Sequence, residues 1–237
     1  MRNRLVTGMN NFYGPFFKGC RWIVRRVYPK YHTRFIKPID SPVVYVSHHQ
    51  NMFGPFITLL WFPESLRCWI LHVFMDKKSC YRHYADYTFS ERYKWSKGLA
   101  KIVAFVASRF IPPLLNSGKG IPVYRGSRQI LKTFRESTEA LKNGESIVIF
   151  PDVEYSDDSP EVKDLYEGFL YIEKYYYRET GKHISFVPLY ASKKGKTITV
   201  GEPIQFRDDK DFAEEKDYVL KEIQTRLNEL AKASGDL

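Results

Sequence analysis

Two histidines after an apolar run, an arginine after a short strand and a carboxylate after another are the residues of this chain best placed to do chemistry. Val43-Val44-Tyr45-Val46-Ser47 reads as a buried strand, and His48-His49-Gln50-Asn51 follows it at once. Imidazole titrates near neutrality, so a strand that delivers it to the rim of a sheet presents a general base. Arg125 follows Ile121-Pro122-Val123-Tyr124, and its planar fork suits bidentate hydrogen bonding to a phosphate. Asp152 follows the β-branched run Ser146 to Phe150 and Pro151. The carboxyl ends of strands in an α/β sheet gather at one crevice, so base, fixed cation and carboxylate are expected to share a site.

The elements that must position these groups alternate along the chain. After the strand at 43–47, Gly54-Pro55 leads into a helix or turn through Phe56 to Trp61, and Cys68 to Phe74 reads as a second strand. Residues 76–93 are aromatic and charged, a helix or lid; Gly98 to Phe110 has helical spacing. Ser127 opens a helix with Ile130, Phe134 and Leu141 on one face, closed by Asn143-Gly144. Beyond the strand at 146–150, the pattern predicts a helix over 160–179, a strand over 184–190, a strand pair at 196–200 and 203–206, and a charged helix over 211–231. The expectation is an α/β fold, with a mixed, largely parallel sheet flanked by helices. Residues 39–237 read as one domain, preceded at 1–38 by a basic amphipathic helical segment.

Charge points to the partner of that segment. The chain carries a formal net charge of +10. Residues 1–36 hold Arg2, Arg4, Lys18, Arg21, Arg25, Arg26, Lys30 and Arg34 with no acid, interleaved with Phe12, Tyr13, Phe16, Phe17, Trp22, Ile23, Val24, Val27 and Tyr28. Basic residues among aromatics suit a membrane surface with anionic lipid. No nucleic-acid motif accompanies them, so nucleic acid is not the expected partner. No apolar run reaches the roughly twenty residues a bilayer demands: Leu99 to Leu115 is interrupted by Lys101 and Arg109, and Pro112-Pro113 is expected to end it. Peripheral attachment on the cytoplasmic side of a membrane follows. Cys20, Cys68 and Cys80 are an odd number without a recognisable leader, which favours a reduced setting. Cys68, His72, Cys80 and His83 fit no standard zinc spacing, so no metal is expected.

The order and spacing of these motifs resemble the glycerolipid acyltransferase family, the PlsC-type 1-acylglycerol-3-phosphate (lysophosphatidic acid) acyltransferases, over roughly residues 41–206. The family's first motif, Asn-His-Gln-Ser-x-x-Asp, is matched by His48-His49-Gln50-Asn51-Met52-Phe53-Gly54. The glycine-led Ile-Pro-Val-x-Arg is matched by Gly120-Ile121-Pro122-Val123-Tyr124-Arg125. Phe-Pro-Glu-Gly-Thr-Arg-Ser is partly matched by Phe150-Pro151-Asp152-Val153-Glu154-Tyr155-Ser156, and a Val-Pro strand by Val187-Pro188-Leu189. The resemblance implies transfer of a fatty acyl chain from acyl-CoA or acyl carrier protein, as co-substrate, to the hydroxyl of a phosphate-bearing lysophospholipid, with no cofactor. His49 takes the base position, with His48 and Asp152 beside it. Arg125, Gln50, Asn51, Gly120, Glu154 and Ser156 fall at substrate-binding positions.

The departures bear on function. Gly54 stands where the family has the aspartate that would orient the histidine, and in the other register Phe53 does. Tyr155 stands where the family has arginine. Asp152, Glu154, Asp157, Asp158 and the remoter Asp86 are the carboxylates that stand in line to replace the aspartate missing at Gly54. The two histidines also fit a bland role as satisfied strand-end residues, and the chain a degenerate role as a binder of phospholipid or acyl carrier without turnover.

Overall fold

The computed structural model describes residues 12–237; Arg2 and Arg4 of the basic arm lie outside them. Among the described residues there are seven strands: β1 (His32–Phe35), β2 (Val44–Ser47), β3 (Leu66–Leu71), β4 (Ile121–Val123), β5 (Ser146–Ile149), β6 (Phe186–Ser192) and β7 (Thr197–Val200). The α-helices are α1 (Pro15–Val27), α2 (Phe53–Trp61), α3 (Lys77–Arg82), α4 (Lys97–Ser117), α5 (Ile130–Lys142), α6 (Tyr171–Thr180) and α7 (Phe212–Ala233). The chain divides into two compact units: a sheet unit of Ile23–Leu66 and Phe134–Leu237, and a helical unit whose described residues are 12–22 and Arg67–Thr133.

In the sheet unit the strand order is β1-β7-β6-β2-β5. The pairings β1/β7, β2/β6 and β2/β5 are parallel, and β6/β7 is antiparallel. This is the mixed, largely parallel α/β sheet expected from the sequence. Every residue of β2, β5 and β6 is buried, as central parallel strands covered on both faces must be. The register places Val46 opposite Ile149 and opposite Pro188. Helix α7 buries Val219, Ile223, Leu227 and Leu230, a stripe at helical spacing. Its N-cap Asp211 accepts from the Ala213 amide at 2.8 Å, and Glu214 and Glu215 occupy its positive end.

Three elements differ from the sequence pattern for local reasons. β1 lies inside the basic segment, where His32-Thr33-Arg34-Phe35 shows no apolar alternation because an edge strand is largely exposed. Residues 160–166 are not helical: Tyr166 N–H donates to Pro151 O at 2.7 Å and Val153 N–H to Asp164 O at 3.0 Å. These bonds fold the segment back on the end of β5, and the helix proper begins at Tyr171. Residues 203–206 form no strand, since Ile204 makes only an isolated antiparallel bridge to Phe186.

The helical unit pairs β3 with β4 in parallel. Helix α3 opens on the Asp76 cap, which accepts from the Ser79 amide at 2.9 Å, and it continues as a π-helix over His83–Arg92. Ala85, Phe89, Ala100 and Ala104 form a small core, and Phe89 stacks on Trp95 at 4.8 Å. Helix α4 corrects the expectation that no segment is long and apolar enough for a bilayer. It runs unbroken through Pro112 and Pro113 for 21 residues, with a mean hydropathy of 1.5 in its apolar window. Near its end the Asn116 side-chain amide donates to Pro112 O at 2.7 Å. Burial pushes the Cys68 thiol up to about 12 and the Cys80 thiol up to about 11. Both are held as thiols.

His183, just past α6, gives the sheet unit a pH dependence. Its ring nitrogens meet Glu173 Oε1 at 2.6 Å and Asp208 Oδ1 at 2.8 Å. Burial disfavours charge on the ring, but the hydrogen bonds to Asp208 and Glu173 outweigh it and raise the pKa above 6.5. A raised folded-state pKa stabilises fully below the unfolded value and loses that stabilisation as pH rises through the folded one. The urea midpoint is therefore expected to fall as pH rises above about 6.5, and His183→Gln to flatten that fall. An unaltered profile in the variant would assign the slope elsewhere.

Candidate active site

The carboxyl ends of β2 and β5 are adjacent because the two strands pair in parallel, so the residues following each meet. Asp152 Oδ1 hydrogen-bonds to His48 Nδ1 in a very short contact, and Asp152 Oδ2 accepts from the His49 main-chain N–H at 2.8 Å. One carboxylate thus fixes the ring of the first histidine and the backbone of the second. His48 and Asp152 are only 3% and 5% exposed, and a buried carboxylate of this kind is stable only when paired and hydrogen-bonded.

The opposite edge of the His48 ring is also engaged. Its Nε2 lies 2.9 Å from the carbonyl oxygen of Ser159. Both ring nitrogens of His48 therefore face oxygen atoms, the Asp152 carboxylate on one side and a main-chain carbonyl on the other. Ser159 is placed by its own loop: its N–H donates to Asp157 Oδ1 at 2.9 Å, and Lys163 Nζ pairs with Asp157 Oδ2 at 2.6 Å. These bonds to Lys163 and Ser159 hold the Asp157 carboxyl down at about 2. The loop is anchored from α7, where Asn228 accepts from Val162 N–H at 2.8 Å and donates to Val162 O at 3.0 Å.

The turn after His49 is unusual. Gln50 and Asn51 both adopt positive φ, at 43° and 59°, a sparsely populated region for residues with a Cβ that tends to occur where structure overdetermines the backbone. Gln50 Nε2 donates to Ala191 O at 3.1 Å, and Asn51 N–H donates to Asp157 O at 2.8 Å. The turn brings the start of α2 against the strand end so closely that a Cβ on Gly54 would lie 1.9 Å from the carbonyl oxygen of His48. The position that holds an aspartate in the family pattern has no room here for any side chain.

The remaining sequence candidates fall in distinct places. The His49 ring is half-buried, with ring centroids 6.0 Å from those of Phe150 and Tyr155. Gln50 is buried and serves as a tie to β6, while Asn51 is exposed. Glu154 accepts from both the hydroxyl and the N–H of Ser156 within its own turn. Asp158 contributes its main-chain oxygen to Lys193 Nζ at 3.1 Å. Gly120, Arg125 and Asp86 belong to the helical unit. There Gly120 leaves space for Ile70, whose Cδ1 would lie 2.5 Å from an added Cβ, and Arg125 is exposed in the turn after β4. That turn is braced by Thr133, whose hydroxyl donates to Pro122 O at 2.7 Å. Cys68, His72, Cys80 and His83 do not converge, and His72 Nδ1 meets Val123 O at 3.1 Å.

Ser159, Lys163 and Ala191 complete the site and were not among the sequence candidates. Two of them act through main-chain carbonyls, which leave no signature in side-chain type. Asp157 two residues before Ser159 is the one local signal, an aspartate that caps the following turn.

A carboxylate on Nδ1 orients an imidazole for proton transfer at Nε2, the nitrogen that here faces the Ser159 carbonyl. No protein-family model matches the sequence, and no curated protein matches it. Among solved structures, the chain is similar to the crystal structure of the 1-acyl-sn-glycerophosphate (LPA) acyltransferase PlsC from Thermotoga maritima. The two share 16% identity over 91% of this chain and 76% of that one, with a TM-score of 0.47.

Restoring the aspartate of the family pattern is expected to harm the protein. Gly54→Asp and Gly54→Ala should each cost roughly 2 kcal/mol or more of stability, because the obstructing atom is backbone. Chemical denaturation of both variants measures this; an unchanged midpoint would show that α2 shifts freely.

Proposed function

We propose that this protein is an O-acyltransferase that moves a fatty acyl chain from acyl-CoA or acyl carrier protein to the hydroxyl of a lysophospholipid such as 1-acylglycerol-3-phosphate. The observation that carries this reading is the contact between Asp152 and His48 Nδ1 at the strand end that matches the family's first motif. In the resting state Nε2 of His48 faces the carbonyl of Ser159. With the ring neutral and the acceptor hydroxyl in place of that carbonyl, Nε2 takes the hydroxyl proton. The oxygen attacks the thioester carbonyl, the tetrahedral intermediate collapses with cleavage of the C–S bond, and the departing thiolate takes up the proton from the ring. Asp152 keeps Nδ1 protonated throughout and stabilises the imidazolium. His49 supplies the main-chain N–H through which Asp152 is itself held. A phosphate-bearing acceptor rests on the motif match at Arg125, and a peripheral location at the cytoplasmic side of a membrane rests on the basic, aromatic-rich surface of the chain.

A second reading has its own observation. Gly54 has no room for the family's aspartate, and His48 is closed off by Ser159, as expected of a relative that binds phospholipid or acyl carrier without turnover.

Labelled acyl-CoA with lysophosphatidic acid separates the two. Turnover is expected, and His48→Ala and Asp152→Asn should each lower kcat by about two to four orders of magnitude, the range of general-base catalysis. His49→Ala should retain more activity than His48→Ala. Lipid binding with no turnover on any lysophospholipid acceptor would favour the binder. A larger loss at His49 than at His48 would move the base to His49.

A further inference from the structure

We propose that the exposed face of α4 is the element that seats this protein on an anionic bilayer, lying in the plane of the interface rather than crossing it. The inference deepens the lipid-surface part of the proposed function and rests on that part alone.

The helix is two-sided. Ala100, Ala104, Ser108 and Pro112, spaced by four, are buried, and the two alanines belong to the small core with Ala85 and Phe89. On the opposite side Leu99, Ile102, Phe105, Val106 and Phe110 are exposed, Ile102 at 67% and Val106 at 62%. An apolar stripe of this size on a soluble surface marks an interaction site. Phe16 extends it, packing edge-on against Phe110 with ring centroids 5.4 Å apart while remaining 40% exposed. Length and composition alone would allow the helix to span a bilayer. The stripe of small residues packed on protein opposes that reading, because a spanning helix would give up this packing. Arg109 opposes it too: its guanidinium lies over the Phe105 ring, 3.3 Å from the centroid, within the apolar face. A long cation so placed is suited to reach headgroups from a helix lying in the interface.

Charge identifies the occupant. From Arg92 to Arg135 there are ten Lys and Arg residues and no Asp or Glu. The described residues of the helical unit hold fifteen Lys and Arg against Asp76, Asp86 and Glu91. A second copy docking through α4 would bring two such cationic surfaces together, whereas phosphatidylglycerol-type headgroups complement both the charge and the apolar face.

The test is cosedimentation of the full chain with vesicles of phosphatidylcholine containing about one-third phosphatidylglycerol. Ile102→Glu combined with Val106→Glu is expected to weaken partitioning by at least about tenfold, with the melting temperature held because both positions are solvent-exposed. Unchanged partitioning of the folded variant would overturn the proposal. So would conversion of a wild-type dimer to a monomer, or loss of oligonucleotide binding, with vesicle binding intact. Should the double variant fail to fold, Ile102→Cys in a Cys20→Ser background, labelled with an environment-sensitive dye, gives the second readout. A blue shift on anionic vesicles is expected, and no shift would overturn the proposal. Vesicle binding without turnover would refute the enzyme reading and leave this one standing.

Discussion

The site depends on one carboxylate. Asp152 ties the end of β5 to the end of β2 through the His48 ring and the His49 main chain, and strand register makes this possible. Val46 faces Ile149 across the parallel pair, so His48 and Asp152 leave the sheet side by side. A slip of one residue would send the imidazole to the other face. The pair is buried, so removing His48 alone would leave the Asp152 carboxylate uncompensated, a change that typically costs about 3–5 kcal/mol. The same contact therefore fixes the His48 ring and locks two strand ends together.

Gly54 follows from this geometry. Positive φ at Gln50 and Asn51 turns the chain sharply enough that α2 begins against the His48 carbonyl, and the close approach excludes a Cβ. With no side chain possible there, a carboxylate for the histidine has to come from outside the first motif. Asp152 provides it from the neighbouring strand, at the position where the family pattern has glutamate.

Much of this was legible in the sequence, with limits that have physical causes. β2, β5 and β6 stood out because strands buried on both faces are continuous apolar runs. Asp152 was identifiable as a candidate partner because it ends such a strand. Which histidine ring it meets was not, since that depends on register and on the carbonyl of Ser159 approaching from the far side. β1 leaves no pattern because an exposed edge strand need not alternate, and the stretch 160–166 has a helical pattern that its long-range main-chain bonds to Pro151 and from Val153 override. Pro112 and Pro113 looked like a stop, yet α4 passes through both.

Charge shows the same gap between linear and spatial reading. The basic run at the N-terminus is conspicuous because it is interleaved with aromatics at the start of the chain, while the equally acid-free stretch from Arg92 to Arg135 is diluted by an apolar helix. Sorting residues by unit changes the meaning of the net +10. The sheet unit holds twenty Lys and Arg against twenty-four Asp and Glu, so it is mildly acidic, and the excess positive charge sits in the rest of the chain, residues 1–22 and 67–133. An anionic surface would therefore attract the helical unit more strongly than the sheet unit. Salt would screen that attraction over about 8 to 10 Å at ordinary ionic strength, whereas burial of the apolar face of α4 would not be screened.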